Sequence, residues 1–90
     1  MKAVKGFKLR TLLGEHIIVA DGPSQINFNK IVMLNETAAF IWQKLVDFGE
    51  CSLKDLTDAI LEEYEVDEPT ASQSVASTID QWKEIGLVED

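Results

Sequence analysis

The stretch Lys30-Ile-Val-Met-Leu-Asn-Glu-Thr-Ala-Ala-Phe-Ile-Trp-Gln-Lys-Leu45 decides the fold. After Lys30, the residues Ile31 to Leu34 are apolar and two of them are β-branched, a strand composition. At Asn35 the character changes. An Asn side-chain oxygen can accept a free amide of a first helical turn, and Glu36 suits the positive end of a helix dipole. Ala38, Ile41, Trp42 and Leu45 then recur at the i, i+3, i+4, i+7 spacing of one buried face. The stretch is a strand running directly into a helix, and that helix ends at Asp47-Phe-Gly-Glu50.

Upstream of it the pattern is β. Phe7, Leu9 and Thr11 alternate with Lys8 and Arg10, and Leu12-Leu-Gly-Glu15 reads as a turn. His16-Ile-Ile-Val-Ala20 is a second strand, Asp21-Gly-Pro-Ser24 a loop, and Phe28 to Leu34 the third strand. Downstream the pattern is helical. Ser52 with Asp55 predicts a capping box, followed by an apolar stripe of Leu53, Leu56, Ile60 and Tyr64. Pro69 suits a first turn, and Val75, Ile79 and Trp82 form the core stripe of a last helix over about Thr70 to Ile85. Gly86 stops it where a left-handed residue is wanted. The expected architecture is α+β and winged-helix-like: a three-stranded antiparallel sheet followed by three helices, one domain over residues 1–90.

Charge narrows the partners. The net charge is −8, unevenly placed. Residues 1–34 carry five basic against two acidic side chains, and residues 35–90 carry three against fourteen. DNA binding needs cations to displace counterions, so the acidic helical half argues against nucleic acid. No apolar run approaches the roughly 20 residues that span a membrane. No signal peptide is read at the N-terminus, and the single Cys51 cannot form an internal disulfide, so a cytoplasmic location is expected.

A catalytic constellation is missing. His16 is one histidine on a strand, without a cysteine or carboxylate at metal spacing, and reads as a polar strand residue. Cys51 precedes the Ser52 cap, where a helix N-terminus can lower a thiol pKa, but no base stands near it in sequence. The acidic run from Glu62 to Glu68 reads as a solvated helix end and loop. The five glycines are dispersed and make no phosphate loop. Neither a cofactor nor a metal is expected. What remains is binding by shape: a small sheet has free edges, and an edge is a template for an added strand. The same edge can pair with its own copy, which leaves a homodimer open.

The ordered set Leu34-Asn-Glu-Thr-Ala-Ala-x-Ile-Trp42, Gly49-x-x-Ser-Leu-x-x-Leu56, Tyr64-x-Val-Asp67, Val75 and Trp82-Lys-Glu-Ile-Gly-Leu-Val88 resembles the PqqD family, over residues 7–88. The resemblance implies a non-catalytic peptide-binding chaperone. Such domains bind the leader of a ribosomally made precursor peptide and present it to a modifying enzyme, often a radical S-adenosylmethionine (SAM) protein. The family takes its name from pyrroloquinoline quinone (PQQ) biosynthesis, and many relatives serve other modified peptides. The leader is implied to lie between the third strand and the third helix. Mapped onto this chain, the peptide-binding residues are Asn29, Lys30, Ile31, Val32 and Met33 on the strand, and Ala71, Ser74, Thr78 and Gln81 flanking the core stripe of the helix. The acidic helical half predicts a leader with basic residues. The alternative is a winged-helix DNA-binding regulator, supported by the fold class and the basic N-terminal third.

Overall fold

The computed structural model describes residues 1–20 and 32–89. The order is β1 (Lys2–Ala3), β2 (Phe7–Leu12), β3 (Glu15–Ala20), β4 (Val32–Leu34), α1 (Glu36–Phe48), α2 (Leu53–Glu63), α3 (Glu68–Glu84) and β5 (Val88–Glu89). The first and second predicted strands are β2 and β3. The described part of the third is β4. The expected loop at Asp21–Ser24 and the strand start at Phe28 lie outside the described residues.

Strands β2, β3 and β4 form an antiparallel sheet in that order. The β2–β3 turn is Leu13-Gly14, with φ of 53° and 81°. Two positive φ values in a two-residue connection match the right-handed twist of the strands. Leu9, Ile18 and Val32 stand in register on the face toward the helices, where Ile18 is fully buried. Arg10, Ile17 and Met33 share the opposite face.

Each helix starts at the cap its sequence specifies. Asn35 Oδ1 accepts the Ala38 amide at 2.8 Å. Ser52 Oγ accepts the Asp55 amide (3.2 Å) while Asp55 accepts the Ser52 amide (3.0 Å), a reciprocal capping box. Asp67 caps α3 through the Thr70 amide (3.2 Å), which brings Glu68 into the helix two residues before the expected start at Thr70. At the far end the Leu87 amide bonds the Trp82 carbonyl (2.8 Å) and the Gly86 amide bonds that of Lys83 (3.3 Å). With Gly86 at φ 87°, this is a Schellman ending, and Leu87 drops into the core.

One core joins the sheet to the helices. Ile18, Ile41, Trp42, Leu45, Leu56 and Ile60 belong to it, with Ala71, Val75, Ile79 and Trp82 from α3. Three details differ from expectation. On α1 the buried alanine is Ala39, and Ala38 is only half-buried. Leu53 is exposed because α2 turns Leu56, Thr57, Ala59 and Ile60 inward instead. The chain ends also pair: β1 and β5 form a two-stranded sheet, Lys2 opposite Glu89 and Ala3 opposite Val88. Two-residue strands carry no periodicity, so this pairing leaves no trace in the local pattern. Among the described residues no helix is long and apolar enough to cross a membrane.

Candidate functional site

A cleft of about 580 Å³ opens between β4 and α3. Val32, Met33 and Leu34 form one side. The strand runs on into α1, so Asn35, Thr37 and Ala38 continue the wall. Across from them stand Ser74, Thr78, Gln81, Trp82, Glu84 and Ile85 of α3 and its end. Thr78, Gln81, Trp82 and Ile85 are three, four and seven residues apart, so one helix face looks into the cleft. The apolar part is Val32, Leu34, Ala38 and Trp82, and Ser74, Thr78 and Gln81 supply neutral hydrogen-bonding groups.

The backbone of β4 gives the cleft its chemistry. Among the described residues β4 is an edge strand, paired only with β3. In a two-residue hairpin the pair flanking the turn, Leu12 and Glu15, exchanges hydrogen bonds, and bonded and non-bonded pairs then alternate. Arg10–Ile17 is therefore a bonded pair, so the Ile17 N–H and C=O point toward β2. Toward β4 the bonded pairs become His16–Leu34 and Ile18–Val32. Met33 is left with its N–H and C=O directed out of the free edge. That is the pattern an added strand needs.

Of the residues expected at a peptide site, Val32, Met33, Ser74, Thr78 and Gln81 are brought together around this cleft. Asn29, Lys30 and Ile31 lie outside the described residues. Ala71 is corrected: at 1% exposure it belongs to the core and has no surface to offer. It sits four residues before Val75, one helical turn along the same buried stripe, rather than beside it. Sequence reasoning did not place Leu34, Asn35, Thr37, Ala38, Glu84 or Ile85 here. Asn35 and Ala38 carried a readable signal, because a strand that turns straight into a helix must put the first helical turn beside the strand edge. Trp82 does two jobs, being 3% exposed in the core and lining the cleft.

Side chains with reactive chemistry lie elsewhere. His16 Nδ1 is 2.9 Å from the Thr11 hydroxyl across the hairpin. Cys51 is buried, and that burial, followed by the nearby Asp55 carboxylate, pushes its thiol pKa up, with the N-terminal ammonium opposing. The sequence favours a buried or incidental cysteine over an activated one, and Cys51 is buried. Among the described residues no group of three His, Cys, Asp or Glu side chains could hold a metal.

Comparison with solved structures finds the same fold in TbiB1, solved in complex with the TbiA(beta) leader peptide. The TM-score is 0.78 at 20% identity, covering 99% of this chain and 95% of that one. A lasso peptide synthetase B1 complexed with the leader peptide aligns with a TM-score of 0.74 at 26% identity, over 99% of this chain and 96% of that one. No curated protein matches the chain. The family model for coenzyme PQQ synthesis protein D (PqqD) matches residues 15–88. With that match running from β3 through the Schellman ending of α3 to Val88, the chain belongs to the PqqD family.

Proposed function

We propose that this chain is a non-catalytic recognition domain. It binds the leader of a ribosomally synthesised precursor peptide along the free edge of β4 and presents the peptide to a modifying enzyme. The observation that carries this reading is the outward-facing backbone of Met33 beside a half-apolar cleft against α3. The likeness to two structures that hold leader peptides supports it. Backbone pairing supplies affinity that is indifferent to sequence, and side chains entering the cleft supply selection. Once the leader is held, the core peptide is confined near the enzyme at a raised effective concentration, so turnover rises without any reactive group on this domain. The resemblance favours a radical SAM enzyme as partner. Work beside a newly made peptide fits a cytoplasmic location.

The test is a titration of ¹⁵N-labelled protein with the leader encoded beside its gene. Shifts confined to β4, the start of α1 and α3 are the expected result. Shifts that appear instead on addition of unlabelled protein alone would assign the edge to a homodimer. The DNA-binding alternative is disfavoured by the surface of α3, whose basic side chains are limited to Lys83 while Glu68, Asp80 and Glu84 are exposed.

A further inference from the structure

Among the described residues, Glu84 is the one charged side chain that lines the cleft. Folding gives no reason for it. It is the last residue of α3, where helix carbonyls concentrate negative charge and a carboxylate is unfavourable. The neighbouring Lys83 suits that end, and Glu84 opposes it. Its side chain is exposed and has no ion pair or hydrogen bond among the described residues. An acid placed against the dipole, uncommitted, and lining a half-apolar cleft is a local conflict of the kind that marks a site.

The strand geometry says what it would meet. A peptide paired with Met33 puts the residue opposite Met33 on the outer face of the sheet. The residues before and after that one point to the helix face, into the cleft. Cleft-facing positions are thus two apart. One faces the apolar floor of Val32, Leu34, Ala38 and Trp82, and Glu84 lines the same cleft at the end of α3.

We infer that Glu84 selects a leader carrying a lysine or arginine at an even spacing from an aliphatic or aromatic anchor. The anchor fills the apolar floor, and the cation seats against the Glu84 carboxylate at the negative end of the α3 dipole. This assignment rests on the leader-binding reading above and adds the residue that sets its chemical preference. An overall charge of −8 steers the same cationic peptides inward.

Fluorescence anisotropy with the labelled leader encoded beside the gene tests it, using the wild-type chain, Glu84→Gln and Glu84→Lys. Glu84→Gln is expected to bind roughly 2- to 5-fold more weakly, the range of an exposed ion pair, and to show a shallower dependence on salt. Glu84→Lys should lose about tenfold, and a leader with its cation changed to Glu should prefer it over the wild type. Removing an acid from the helix end should leave the melting temperature equal or higher, so affinity and stability move in opposite directions, which a structural role would not produce. Equal leader affinity for wild type and Glu84→Lys overturns the assignment and leaves leader binding intact. A wild-type chain that binds no leader overturns both.

Discussion

Trp42 of α1 and Trp82 of α3 meet edge to face, ring centroids 5.5 Å apart and planes at 86°. Trp42 lies in the core, while Trp82 shows its other side to the cleft. The cleft floor is therefore part of the core, so its shape is held by the packing that holds the fold. Aromatic pairs of this geometry contribute about 0.5–1.5 kcal/mol beyond their area. Trp82→Ala should cost roughly 3–5 kcal/mol in urea unfolding, and a cost below about 1 kcal/mol would contradict the core position given to it. The pair also reports binding. Leader addition should shift the emission of Trp42→Phe, which retains Trp82, and leave that of Trp82→Phe nearly unchanged.

The register places the Met33 amide on the outside of the edge and the Val32 amide inside the β3–β4 ladder. Proline lacks that donor and is tolerated on an edge strand when its nitrogen faces out. Met33→Pro should keep the native circular dichroism and melting curve while weakening leader binding by about threefold to tenfold, the net worth of a hydrogen bond. Val32→Pro should lower stability as well. Full affinity in Met33→Pro would mean that the leader does not extend the sheet.

Gly86 holds φ 87°, and a Cβ built there meets nothing within 4 Å. Space is not the constraint, so only backbone strain opposes a side chain. Gly86→Ala should cost about 1–2 kcal/mol. Thermal unfolding is the measurement, and Gly86→Asn should recover part of the loss because Asn tolerates the left-handed region.

Asp67 has its pKa held below the ordinary carboxylate range by the Thr70 hydroxyl and then by the Thr70 amide. A depressed folded pKa means the ionised cap stabilises α3 above the unfolded pKa, about 3.9, and that this contribution fades as pH falls through the lower folded value. Acid titration followed by circular dichroism should show a stability loss in that window. Asp67→Asn keeps a capping oxygen but no charge, so it should flatten this part of the curve. An identical acid limb in the variant would remove Asp67 from the account.

Cys51 is 8% exposed with a raised thiol pKa. Only the thiolate attacks a disulfide reagent. At neutral pH the folded chain should react several-fold more slowly with an aromatic disulfide than the urea-unfolded chain does. Fast reaction of the folded protein would show that the turn between α1 and α2 opens readily.

The first contacts of each element were legible because they lie within five residues of each other. The caps at Asn35 and Ser52, the turn at Leu13-Gly14 and the stop at Gly86 each answer to local backbone chemistry and stand where their residue types place them, while the Asp67 cap, read as loop, starts α3 two residues early. Half of the candidate site was legible in the same way, since the strand ending at Leu34 and the helix through Gln81 could each be located. Which flank of that helix faces the strand could not. Ala71 and Ser74 are three residues apart on α3, yet one is buried in the core and the other lines the cleft. That division depends on the angle at which α3 lies against the sheet and α2. The same holds for Ala38 against Ala39, for exposed Leu53, and for the β1–β5 pairing of the two chain ends. The sequence by itself determined the three helices, the main sheet strands and most of their ends, because hydrogen bonds to neighbours three to five residues away suffice for those. Only the tertiary structure decided the cleft, because its two walls are about 40 residues apart along the chain and become neighbours only when the shared core around Trp42 and Trp82 closes.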